Sequence, residues 1–176
     1  MKLCALLVLL YAPDANAILV RRKPAAGDLR LVLTFIKTTT DLERIADEAK
    51  KIALCAGRIA ADRWASRPRH HELASMARVA VELLHQAVGA LDELDASRVA
   101  DAAAREEQLD ASLRGVLRSL ISYMVEDPRT ISSCLDLLFV AKSLERIGDH
   151  ATNIFEHVIY AVHGENLRHA APFSPQ

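Results

Sequence analysis

Residues 41–47, Asp-Leu-Glu-Arg-Ile-Ala-Asp, return almost unchanged at 143–149 as Ser-Leu-Glu-Arg-Ile-Gly-Asp. The two copies lie 102 residues apart, and both sit in long stretches of helical periodicity. Similarity at a fixed long spacing marks a duplicated structural unit. Each copy carries a Glu and an Asp four positions apart, Glu43 with Asp47 and Glu145 with Asp149. The chain is therefore constrained to a helical unit used twice, with acids at equivalent points.

The rest of the pattern is helical as well. A first helix is predicted from Asp28, after Pro24, through Leu29, Val32, Leu33, Ile36, Leu42, Ile45 and Ile52 to about 64, where Ser66-Arg67-Pro68 stops it. A second spans about 69–94, with Leu73, Met76, Val79, Ala80, Leu83 and Ala87 at helical spacing, and Asp95-Ala96-Ser97 closes it as a turn and cap. A third spans about 97–124, through Leu109, Leu113, Val116, Leu117 and Leu120, before the break at Glu126-Asp127-Pro128. A fourth spans 130 to about 162, with Thr130 as its N-cap and His163-Gly164 as its stop. The last three, joined by short loops, read as an up-down-up bundle. Residues 171–176 read as a disordered tail. Aromatic residues make up only 5% of the chain, and no segment alternates with a period of two, so the fold class is all-α.

Composition removes several functional classes. The net charge is −1 and no basic tract exceeds a few residues, which argues against a nucleic-acid surface. Cys4, Cys55 and Cys134 are far apart and form neither a zinc knuckle nor a disulfide framework. No Gly-rich phosphate loop or nucleophile elbow is present. Lys2, the apolar run from Leu3 to Ala12 and then Ala15-Asn16-Ala17 have the shape of a short secretory signal. The alternatives are a degraded core helix or a start placed inside a longer gene.

The acids are the best site candidates. At roughly 100° per residue, Glu43 and Asp47 continue the line of Leu29, Leu33 and Ile36, and Glu145 and Asp149 continue that of Ile131, Leu135 and Leu138. An amphipathic helix keeps carboxylates off such a line, and two acids one turn apart repel each other. A bound cation offsets that repulsion, and hard oxygen donors suit Mg, Mn, Fe or Ca. Glu106 and Asp110, again four apart, lie on the antiparallel third helix and can form a second wall opposite Glu145 and Asp149. A di-iron carboxylate bundle needs two Glu-x-x-His pairs, and only Glu82 with His85 has that spacing, so His85 reads as a polar edge residue. Of the remaining histidines only His150, beside Asp149, is noted. Two rival readings stay open: a metal-binding carboxylate bundle with a storage or enzymatic role, and a helical adaptor whose acids are merely solvated.

The run from Ser143-Leu144-Glu145-Arg146-Ile147-Gly148-Asp149 through His150-Ala151-Thr152-Asn153 to Glu156 resembles the second-repeat signature of the PhoU family of phosphate-transport regulators. Lys23-Pro24, Asp28-Leu29-Arg30 and residues 41–47 are similar to the first repeat, and residues 120–130 to the link between helices. The resemblance covers about residues 20–165. It implies tandem antiparallel three-helix bundles, with an incomplete first repeat at 1–66 and a complete second at 67–176. It further implies clusters of metal ions, iron or another divalent cation, on Glu145, Asp149, Glu106, Asp110, Glu43 and Asp47. The implied function is non-enzymatic: a homodimer in the cytoplasm that contacts the ATPase and membrane subunits of the phosphate importer and the phosphate-sensing histidine kinase, and damps uptake and the starvation response. Two departures stand out. Ala46 replaces the usual Gly, and the first helix and most of the second of repeat one have no counterpart in residues 1–19. A secreted protein would meet neither partner, so the resemblance favours a mis-started or truncated cytoplasmic chain.

Overall fold

A computed structural model describes residues 26–61 and 71–164. The signal-like run at 1–17, the stop at Ser66-Arg67-Pro68, the repeat boundary at 66–67 and the tail at 171–176 lie outside them. The described chain is helical: α1 (Ala26–Ala61), α2 (His71–Glu93), α3 (Ala100–Glu126) and α4 (Ile131–His163), with 3-10 turns at Ala96–Val99 and Pro128–Thr130. No described helix is long and apolar enough to cross a membrane.

The helix ends follow local chemistry. Leu94 ends α2 in a left-handed conformation, with Asp95 N–H donating to Ala90 O, and the Asp95 carboxylate accepts from the backbone and hydroxyl of Ser97. At the α3–α4 junction the capping side chain is Asp127, which accepts from Arg129 N–H ahead of Pro128. Thr130 holds the N-cap position of α4 but makes no side-chain cap. Its hydroxyl lies within bonding distance of the carbonyls of Tyr123 and Asp127, tying α3's last turn to the start of α4. Gly164 ends α4 at φ 76°, where a side chain would be strained, and its N–H donates to Tyr160 O.

Helices α2, α3 and α4 form an antiparallel bundle. Its centre holds Met76, Leu83, Leu109, Ile154, Phe155 and Val158, each almost fully buried. Burying each of these large side chains is worth about 1.5–3 kcal/mol. Gly148 lies where a Cβ would overlap the Leu109 side chain, so α3 approaches α4 closely there. Helix α1 touches only α4 among the described helices, running antiparallel along the side that α2 and α3 leave free. Helix α4 is thus covered on two sides, and fifteen of its residues are buried.

The α1–α4 interface shows the duplication as a local two-fold. Asp41 meets His150 and Glu48 meets Ser143. Moving each member by the repeat offset turns one pair into the other, since 41 corresponds to 143 and 48 to 150. The same offset carries the line Leu144, Gly148, Ala151, Phe155 and Val158, buried against α2 and α3, onto Leu42, Ala46, Ala49, Ala53 and Ala56. On α1 those positions are half-buried or exposed.

Candidate metal centre and the polar seam beside it

Two groups of charged side chains flank α4. The first faces α3. Glu145 is buried at the edge of the bundle core and Asp149 is half-buried one turn on. Between them is Gly148, pressed by Leu109, and Leu109 itself lies between Glu106 and Asp110. The close contact of the two helices therefore draws four carboxylates to one flank. The Asp149 carboxyl is pushed up to about 6, first by burial and then by the charges of Glu145 and Glu106; Lys142 opposes the shift and Asp110 adds to it. Lys142 Nζ donates to Glu145 Oε1, whereas Glu145 Oε2 is buried with no protein partner. Asp110 sits 3.8 Å from Arg114 at the exposed rim.

Glu43 and Asp47 are placed differently from the sequence expectation. Both are exposed. The line of α1 that faces α4 is Thr34, Thr38, Asp41, Ile45, Glu48 and Cys55, roughly half a helical turn away from the two acids. Likewise, Ile131 and Leu135 are exposed on a flank of α4, while its inward line begins with Cys134, Leu137 and Ala141. His85 is exposed, as an edge residue should be.

The second group fills the seam between α1 and α4, and sequence reasoning missed nearly all of it. Asp41 Oδ1 lies 2.9 Å from His150 Nδ1 and 3.3 Å from Asn153 Nδ2, and Asp41 Oδ2 lies 2.8 Å from His157 Nε2. Burial would raise the Asp41 carboxyl, but the bonds from His157, His150 and Asn153 together hold it below its ordinary value. An ionised carboxylate only accepts, so each facing ring nitrogen carries a proton. Glu48 accepts from Ser143 Oγ at 2.9 Å and Lys51 Nζ at 2.8 Å, and forms an ion pair with Arg146 Nη1 at 2.9 Å. Burial opposes its ionisation too, and Lys51, Ser143 and Arg146 overcome it. Thr34 Oγ1 donates to the His157 carbonyl at 3.2 Å. The signal that could have revealed this line was polar residues falling at helical spacing with Ile45 on a face opposite the expected stripe.

A sequence model of the PhoU domain matches residues 13–56 and 73–158, covering both copies of the repeated motif. The chain belongs to the PhoU family. It is 40% identical over 162 residues to a phosphate-specific transport system accessory protein PhoU homolog of Burkholderia sp, covering 90% of this chain and 68% of that relative. It is 41% identical over 153 residues to the homolog of Pseudomonas aeruginosa and 38% over 154 residues to the PhoU of Escherichia coli (strain K12), covering 86% of this chain and 62% of each relative. The chain thus spans about two thirds of the length of the curated relatives it matches. The crystal structure of PhoU from Pseudomonas aeruginosa superposes with a TM-score of 0.88 at 36% identity, over 93% of this chain and 78% of that one. That of the PhoU from Streptococcus pneumoniae reaches 0.74 at 23% identity, over 94% and 80%, and shares the fold.

For this PhoU-family chain the fit of a metal ion can be judged from the α3–α4 flank. The orphaned Glu145 Oε2 and the like-charge pressure on Asp149 are what a hard cation would relieve, and the donors are all carboxylate oxygens. As they stand, no three His, Cys, Asp or Glu side chains among the described residues converge closely enough to enclose an ion. The residues fit a hard cation in donor type but not in spacing as they stand, and closing on one would require Glu145 to exchange Lys142 for the metal.

Proposed function

We propose that this chain is a regulator of phosphate uptake that damps the importer and the phosphate-starvation response, acting by docking and not by catalysis. The observation that carries the reading is its membership of a family whose relatives, at about 40% identity, are named as accessory proteins of a phosphate-specific transport system. Its partners in this reading are the ATPase and membrane subunits of a phosphate ABC importer and a phosphate-sensing histidine kinase, met in the cytoplasm by a homodimer. Glu145 and Asp149, walled by Glu106 and Asp110, bind iron or another divalent cation. The ion neutralises the crowded flank and stiffens the α3–α4 pair. Glu43 and Asp47, exposed on α1, are the secondary site.

The test is complementation. In a bacterium lacking its own PhoU, alkaline phosphatase is expressed in phosphate-rich medium; this chain is expected to restore repression. The same protein, purified, is expected to carry a divalent metal that Glu145→Ala with Asp149→Ala removes. Unrepressed phosphatase with the chain stably expressed overturns the regulatory reading. Equal metal content in wild type and double variant overturns the site.

A further inference from the structure

Between α1 and α4, beside the carboxylate flank, lies an open groove of about 400 Å³. Its rim carries four cations, Lys51 and Arg58 from α1 and Lys142 and Arg146 from α4, and its apolar surface is Leu54 and Phe139. The acids that bind these cations lie beneath them. Glu48, Asp136 and Glu145 side chains are 4–13% exposed, whereas the four cations are 43–55% exposed. A molecule approaching the groove therefore meets positive charge and apolar surface, with the counter-charges sealed below. Leu54 and Phe139 are each more than half exposed. Phe139 also ends a row of exposed residues, Ile131, Leu135 and Phe139, spaced one helical turn apart along α4.

We propose that this groove docks an acidic amphipathic helix of a partner protein. Apolar residues one turn apart on that helix cover Leu54, Phe139 and Leu135, and flanking carboxylates pair with Lys51, Arg58, Lys142 and Arg146. Apolar anchors inside a charged rim are the anatomy of a protein interface. A free phosphate or other small anion satisfies the cations but leaves two large apolar side chains in water, and so accounts for only half of the surface. Charge complementarity selects the sign of the partner and the apolar row its helical form. The inference does not depend on the phosphate-regulatory reading; it shares the Lys142–Glu145 pair with the carboxylate flank.

The probe is a fluorescein-labelled synthetic helix with Leu at i, i+4 and i+7 and Glu on both sides of that row, titrated with the full chain and followed by anisotropy. Saturable binding is expected, and it weakens as salt rises. Leu54→Ala with Phe139→Ala, and separately Lys51→Gln with Lys142→Gln, are each expected to weaken it about tenfold or more. Leu54 and Phe139 are exposed, and unchanged thermal unfolding confirms that their variant folds; the lysine pair gives up ion pairs to the buried Glu48 and Glu145, so for it retained helical circular dichroism is the control. Three outcomes overturn the proposal: a Lys-for-Glu peptide that binds equally well, displacement by inorganic phosphate too dilute to act through ionic strength, or self-association of the protein through this face that Leu54→Glu abolishes.

Discussion

Replacing Asp41 by Ala removes the acceptor at the centre of the α1–α4 seam. Three donors lose a bond: His157 Nε2 at 2.8 Å, His150 Nδ1 at 2.9 Å and Asn153 Nδ2 at 3.3 Å. His157 is deepest, with 8% of its side chain exposed, and no water can easily replace the carboxylate there. A buried donor left unpaired costs about 1–3 kcal/mol, and breaking a buried charged network lies at the upper end or beyond it. His150, at 18%, recovers part of its loss by turning to solvent. The expected destabilisation is about 3 kcal/mol, or a fall in melting temperature of about 6–12 °C for a chain of this size. Asp41→Asn keeps one acceptor and is expected to cost about 1 kcal/mol. The pH dependence has a definite sign. The folded carboxyl ionises below its unfolded value, so its stabilisation is complete above about pH 4 and fades as acid carries the pH through the lower folded value. The gap between wild type and Asp41→Ala therefore narrows in acid. Urea unfolding across that range, followed by circular dichroism, measures both effects. A loss under about 1 kcal/mol at neutral pH, or a gap independent of pH, refutes the claim that this network anchors α1.

Asp149 has the opposite sign. Its folded value of about 6 lies above the unfolded one, so in chelator-treated protein Asp149→Asn is expected to stabilise by about 1 kcal/mol above that pH, a figure reduced for partial exposure; the gain should fade as pH falls below about 6 and vanish near the unfolded value of about 4. Adding a divalent cation should reverse the ranking in thermal unfolding; a ranking indifferent to metal speaks against an ion at this flank. Gly148→Ala forces a methyl group against the buried Leu109 side chain, at about 1–3 kcal/mol of overpacking less about 1 kcal/mol of helix propensity, and is expected to lower stability by about 1 kcal/mol in urea titration. Ala46→Gly meets no such contact and is expected to lose only the propensity, again about 1 kcal/mol.

Helices were legible in the sequence because their punctuation is local. The glycine stop at 164 and the Asp95-Ala96-Ser97 turn are where spacing and turn chemistry place them. Thr130 shows where local reading ends: it holds the N-cap position of α4, but its hydroxyl turns back to the carbonyls of Tyr123 and Asp127, and the side-chain cap is Asp127's, on the preceding 3-10 turn. The flank of Glu106, Asp110, Glu145 and Asp149 was also legible, since antiparallel neighbours joined by a short loop have a fixed register. The inward line of α1 was not. Helix α1 carries apolar or small residues on several sides, and periodicity does not say which of them meets α4. That choice is made by Asp41 and Glu48 finding donors on another helix 95–116 residues away, information that no single helix contains.

The seam also answers a question that every duplicated helix raises, namely how sister segments avoid pairing with their own kind. At the two positions related by the two-fold both carboxylates come from α1, and the groups that receive them across the seam come from α4. Laid antiparallel on another α1 in the same register, Asp41 would confront Glu48, two anions facing each other with no donor from the opposite helix. Laid on another α4, Ser143 would confront His150 with no anion between them. Only the mixed couple balances, so the divergence of two positions after duplication turned interchangeable halves into a lock that accepts one orientation and rejects its mirror.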